Sequence, residues 1–132
     1  MNRSIRIQSH QSIDGLHFGM TLRDLIEQLG EPDQTAQNYT GEFELAYDDR
    51  IYRCLAGRLV ECTFPDRGRF SVDGVEILSV FDWLAGLPNT VDLVKFRISL
   101  EHGIAYDYRD PDHGSITVFE HGRWDDLVAS AR

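Results

Sequence analysis

Cysteine is scarce in this chain: Cys54 and Cys62 are the only two in 132 residues. Two thiols at that spacing, with no matching His pair, argue against a zinc site. No disulfide is needed on grounds of size either, because a chain this long can bury a sufficient core. The two cysteines flank what reads as one hairpin and are not directly opposed, so both are expected to be reduced, as in a cytoplasmic protein. Long apolar runs are also missing; none approaches the ~18 residues of a membrane span. The start, Met1-Asn2-Arg3-Ser4-Ile5-Arg6, has no apolar stretch behind it, which predicts no signal peptide. Basic residues are in deficit, 13 against 22 acidic ones, for a formal charge of −9. Such a charge repels nucleic acid and anionic membranes, so neither is expected as a direct ligand. G-x-S-x-G, P-loop and G-x-G-x-x-G motifs are all absent, and with them any evident nucleophile or phosphate cradle. No cofactor or metal is expected.

What the chain has is enough apolar material for one domain over 1–132: 42% of the residues, with seven Phe, five Tyr and two Trp. The acidic surplus serves solubility, and it would also attract a basic protein or a basic cleft on one.

The clearest local signal is helical. Leu22, Leu25, Ile26 and Leu29 fall at i, i+3, i+4 and i+7. Thr21 stands at the N-cap, Asp24 follows three residues on, and Gly30 and Pro32 end the pattern, which predicts a helix over 22–29. Before it, residues 4–18 read as weakly extended, with Ile5 and Ile7 alternating against Arg6 and Gln8. After it, 31–41 reads as a polar loop. Residues 42–48, 51–55 and 59–64 read as strands, the last two joined across Ala56-Gly57-Arg58. Pro65-Asp66-Arg67-Gly68 closes this meander, and Asp73-Gly74 makes a further turn. Ile77, Val80, Phe81, Leu84 and Leu87 then predict a helix over 76–86. Residues 91–101 are ambiguous. An Asn89 or Thr90 cap with Leu93, Phe96 and Leu100 favours a helix, while alternation through Val94, Phe96, Ile98 and Leu100 describes a strand. Segments 104–108, 115–120 and 123–129 read as strands.

Ile51 to Cys62, IYRCLAGRLVEC, echoes Ile116 to Leu127, ITVFEHGRWDDL; both read strand, x-Gly-Arg turn, strand. The expected fold is therefore α+β, with helices on one face of an antiparallel meander sheet. One form of this fold is two tandem α-βββ units, with pseudo-repeats 18–65 and 76–129. The other sheet face would be open to solvent or to a partner.

The run from Phe18 to Pro32, FGMTLRDLIEQLGEP, resembles the segment that opens the SmpA/OmlA (BamE-like) domain. That fold is similar to the tandem-repeat architecture of the beta-lactamase inhibitor protein. The resemblance implies a binding module with helices on one side of a meander. The chain departs from these families in lacking a lipidation cysteine and convincingly paired cysteines. What remains resembles an intracellular relative, in the style of small bacterial immunity proteins that neutralise a toxin.

Three functions follow as alternatives. The first is an immunity or inhibitor protein that blocks the basic active site of a toxin domain, using carboxylates at turns: Asp48, Asp49, Asp110, Asp112, Asp125 and Asp126, with Trp124 beside them. The second is a small enzyme built on the His/Asp cluster of Glu101, His102, Asp110, Asp112, His113, Glu120 and His121. The third is a self-associating structural module. Ile104, Tyr106 and Tyr108 share a strand face that is expected to be buried. His10 and His17 are expected to be solvated or structural.

Overall fold

The structure is a computed structural model that describes residues 4–38 and 40–130. The protein is α+β, and its described residues form two sheets and three short helices. The strands, in chain order, are β1 (Ser4–Gln8), β2 (Ser12–Ile13), β3 (Leu16–His17), β4 (Gln34–Gln37), β5 (Phe43–Tyr47), β6 (Arg50–Leu55), β7 (Arg58–Pro65), β8 (Arg69–Val72), β9 (Val75–Ile77), β10 (Val91–Leu93), β11 (Phe96–Ser99), β12 (Ile104–Asp107) and β13 (Ser115–Phe119). The helices are α1 (Leu22–Leu29), α2 (Val80–Ala85) and α3 (Asp125–Ser130).

The larger sheet is antiparallel, in the order β10-β11-β12-β13-β7-β6-β5-β4. Each half of the chain runs one helix and then four strands, and the two four-strand runs meet where β13 pairs with β7. The expected three-strand unit thus carries a fourth strand in each half. The pairing also corrects the proposed echo, because ITVFEHGRWDDL spans β13 and α3 rather than a hairpin. The smaller sheet, β3-β2-β1-β8-β9, is mixed, with β1 parallel to β8.

The 22–29 helix forms as its sequence predicts. Thr21 Oγ1 accepts the Asp24 N–H at 3.1 Å. Gly30, at φ +87°, takes the left-handed backbone that a side chain would disfavour and donates its N–H to Ile26 O at 2.7 Å. Leu25 from α1 and Val80 and Leu84 from α2 are fully buried on one face of the large sheet. There they meet a cross-strand row, Ile104, Val118, Cys62, Tyr52 and Leu45, each opposite the next. The small sheet completes this core with Ile5, Ile7, Phe70 and Val72, and Phe70 stacks on Phe64 of the large sheet at 5.8 Å. Ile104 and Tyr106 are buried and Tyr108 half-buried on this face, as expected.

Three expectations are corrected, and the ambiguity over residues 91–101 is resolved in favour of strand. Residues 31–41 are not all loop: Gln34–Gln37 form the exposed edge strand β4, whose four polar or small side chains offer no apolar alternation to read. Tyr39 of that segment lies outside the described residues. The 76–86 helix begins only at Val80, because Ile77 belongs to β9, paired across the Asp73-Gly74 turn, and Ser79 supplies the cap. Residues 91–101 form the β10–β11 hairpin, since alternation places Ile98 and Phe96 together on an apolar patch that one helix could not reach. Residues 123–129 are not a strand: Trp124 and Val128, four apart, turn one face of α3 onto Ile98, Ala105 and Phe119. This helix lies on the sheet face opposite α1 and α2, so the helices do not share one face. None of the described helices is long and apolar enough to cross a membrane.

Cys62 pairs with Tyr52 and Cys54 with Leu59, so the thiols are not cross-strand partners, and both are buried and free. Burial pushes the Cys54 thiol up to about 11 and the Cys62 thiol up to about 12. Neither is expected to react with a thiol reagent in the native protein at neutral pH, and both should react once it is unfolded in denaturant. Rapid native labelling of either would contradict this burial.

Candidate functional site

Two strand ends and two turns bring carboxylates from opposite halves of the chain into one cleft. β7 ends at Pro65 and β13 begins at Ser115, paired to one another. The loop before β13 is pinned there by the Asp66 N–H, which donates to Gly114 O at 3.0 Å. The β5–β6 turn adds Asp49. The cleft so formed is about 590 Å³, lined by Asp49, Asp66 and Asp112 with Arg67 and His113, over a floor that includes Ile51, Thr63 and Phe64.

Each carboxylate is held differently. Asp66 accepts the Tyr106 hydroxyl at 2.6 Å. Burial, with the Asp66 carboxylate next to it, pushes the Tyr106 phenol well above its ordinary value, so it remains a neutral donor. A methyl group at Gly114 would overlap the Tyr106 hydroxyl and ring, so this glycine makes room for the Tyr106–Asp66 bond. Asp49 is exposed, and Arg67 approaches it only to 3.9 Å from a side chain that is itself 75% exposed. Asp110 shapes the loop instead of lining the cleft. Its carboxylate accepts the Asp112 N–H at 3.0 Å and meets His113 Nδ1 at 3.0 Å. The Asp112 backbone N–H first, and the His113 ring second, hold the Asp110 carboxyl below its usual range. Asp112 is exposed and points its loop into the cleft. Three carboxylates line this recess with one arginine, which leaves it negative.

Of the sequence candidates, Asp49 and Asp112 are brought together, and Asp110 supports them. Asp48 is next to Asp49 in the turn but does not line the cleft; its N–H donates to Asp33 Oδ2 at 2.7 Å. Trp124, Asp125 and Asp126 are elsewhere, beyond the Phe119 end of β13. Trp124 is half-buried, stacked on Phe119 at 4.8 Å, and donates Nε1–H to Glu61 Oε1 at 2.7 Å. Asp125 and Asp126 are exposed in the first turn of α3.

Asp66 and Arg67 were legible only as a turn, Pro65-Asp66-Arg67-Gly68, with no sign that they face a cleft. A second polar group gave no local signal at all. Glu61, 4% exposed, accepts from Arg53 Nη1 at 2.7 Å, Arg123 Nε at 3.0 Å and Trp124 Nε1 at 2.7 Å. Glu44 takes a second bond from Arg53, and Glu42 a second from Arg123, both at 2.7 Å. Burial works against the Arg123 charge, but Glu61 and Glu42 outweigh it and raise its pKa. In turn Glu42, despite partial burial, is held below its ordinary value by Arg123, with smaller help from Asn38 and Arg53. All these groups are satisfied by each other, which makes the network a structural clasp between α3 and the sheet.

The His/Asp cluster does not converge. His113, Asp110 and Asp112 lie at one end of the β12–β13 hairpin. Glu101, His102 and His121 lie at the other, near His10, whose ring meets His121 edge-on at 5.0 Å and whose Nε2 contacts Glu101 O at 2.6 Å. His10 is half-buried, while His17 is exposed. His102 is occupied by Ser99 Oγ at 3.0 Å. Among the described residues no three His, Cys, Asp or Glu side chains are grouped to hold a metal ion. Comparison with protein-family models, with curated proteins and with solved structures finds no match for this chain.

Proposed function

We propose that this chain is a small acidic protein-binding module of the immunity or inhibitor kind, and that it engages a basic toxin domain through the Asp49/Asp66/Asp112 cleft. The observation that carries the reading is the convergence of Asp49 and Asp112, 63 positions apart in the sequence, on one recess. A formal charge of −9 would steer a basic surface toward it. The reading also takes the two helix-plus-four-strand runs as copies of one unit. That arrangement would be similar to the BamE-like and beta-lactamase inhibitor architectures suggested by FGMTLRDLIEQLGEP.

The test is a low-salt pull-down with the tagged protein and with an Asp49→Asn/Asp112→Asn variant. A stoichiometric basic partner, released by salt, is expected. Loss of the two charges should weaken its binding by about tenfold or more, as for close charge pairs at an interface. A partner held equally well by the variant would overturn the cleft as the site. The absence of any stoichiometric partner from extracts of the source organism would overturn the reading.

A further inference from the structure

One histidine lines the acidic cleft. His113 shares the recess with Asp49, Asp66, Arg67 and Asp112, and histidine is the residue type whose charge changes between about pH 5 and 8. The loop that carries the ring also sets it in place. The His113 N–H donates to Asp110 O at 3.1 Å, and Nδ1 lies 3.0 Å from Asp110 Oδ2. Asp110 is fixed in turn by the Asp112 N–H, 3.0 Å from Oδ1. An ionised carboxylate only accepts, so the neutral ring carries its proton on Nδ1, and Nε2 is the atom left to take up another. The His113 side chain is 82% exposed, so a proton reaches it without any movement of the fold.

The charges around this ring come from several elements. The β5–β6 turn contributes Asp49, the end of β7 leads into Asp66 and Arg67, and the loop before β13 contributes Asp110 and Asp112. Asp107 and Arg109, at the end of β12, neutralise each other at 2.6 Å. The Tyr106 hydroxyl, committed to Asp66 at 2.6 Å, carries no charge. Four carboxylates and one guanidinium therefore leave three uncompensated negative charges around the recess while the ring is neutral, and two once it is protonated. The other histidines are remote: His10, His102 and His121 lie at the opposite end of the β12–β13 hairpin, and His17 lies on β3. We infer that His113 is a pH-sensitive switch on the recess, which holds a basic segment of a protein partner in neutral or alkaline solution and loosens that hold when the ring takes up a proton. The inference rests on the reading of this cleft as the binding site for a basic protein, and adds its regulation.

The test is an amide NMR titration with oligoarginine, run at about pH 8 and about pH 5.5. The peptide keeps its charge at both, and ordinary aspartates stay ionised above about pH 5. Salt at about 0.1 M screens the remote histidines. The saturating shifts of the Asp49 and Asp112 amides give the affinity. Wild-type protein is expected to bind about threefold more weakly at the lower pH, the scale of one partly screened charge contact. His113→Gln keeps a polar side chain at an exposed position and cannot take up the proton, so it should bind about equally at both, and as tightly as wild type at the higher pH. His121→Gln, at the far end of the hairpin, should keep the wild-type loss. An equal loss in His113→Gln, or none in wild type, would overturn the switch and leave the cleft reading intact. Weaker binding of His113→Gln already at about pH 8 would make the ring a direct contact, and would overturn the switch as well. Shifts that converge on the cleft at neither pH would overturn the cleft reading itself.

Discussion

Asp14→Asn is expected to lower the unfolding free energy by about 3 kcal/mol, at the lower end of what removing one member of a buried ion pair costs. The Arg50 side chain is only 6% exposed, and among the described residues Asp14, itself 25% exposed, is its one carboxylate partner, with Oδ2 at 3.2 Å. Its Cζ lies 5.9 Å from the centre of the Phe64 ring. Burial opposes the charge, while Tyr52 and Asp14 more than compensate and raise the Arg50 pKa. Asn at position 14 keeps the acceptor for the Arg6 N–H, now 2.8 Å away, and tolerates the left-handed backbone at φ +50°. It removes only the countercharge, leaving a buried cation uncompensated. The loss is a large part of the roughly 5–15 kcal/mol that holds a domain together. Arg50→Met, added to Asp14→Asn, should restore most of it by filling the same space without charge. Urea denaturation of the three variants measures this; a fall of under ~1 kcal/mol for Asp14→Asn would mean that water reaches the pair.

The second large effect is at Glu61. Glu61→Ala is expected to cost about 3 kcal/mol, because it leaves the Trp124 indole N–H without its acceptor and takes one of two carboxylates from each of two guanidiniums, Arg53 keeping Glu44 and Arg123 keeping Glu42. It should also loosen α3, which Trp124 holds to the sheet through the Glu61 bond and the Phe119 stack. The expected sign is a lower urea midpoint together with a red shift of native tryptophan fluorescence, which a Trp124→Phe control should lack. A lower midpoint with unchanged fluorescence would separate Glu61 from α3.

These two residues show what the sequence concealed. Helix 22–29 was legible because its periodicity, cap and stop signals agree within a dozen residues. The β6–β7 hairpin was legible because Ala56-Gly57 sits between alternating strands, and the backbone there is left-handed at both positions, as that turn requires. The β10–β11 hairpin was obscured because its tip is Val94-Lys95, which carries no turn signal. α3 was obscured because six residues are too few to establish a helical period against strand-like Trp124 and Val128. Arg50 and Glu61 look like ordinary charges on strands; their burial depends on partners 36 and 62 positions away. Half of the cleft was visible in the same sense. Asp49 and Asp112 were read as exposed turn carboxylates, but only the β13–β7 pairing, which joins the two halves, places them on one recess.

That recess is tested most directly by titrating the ¹⁵N-labelled protein with an oligoarginine peptide at low ionic strength. The expected result is a common saturating shift at the amides of Asp49, Asp66, Arg67, Asp112 and His113, lost in Asp49→Asn/Asp112→Asn. It should survive in Asp24→Asn/Asp82→Asn, which removes the same charge from the exposed first turns of α1 and α2. Shifts scattered over the acidic surface and weakened equally by either pair of substitutions would contradict the cleft, and would leave the charge of −9 as a matter of solubility alone.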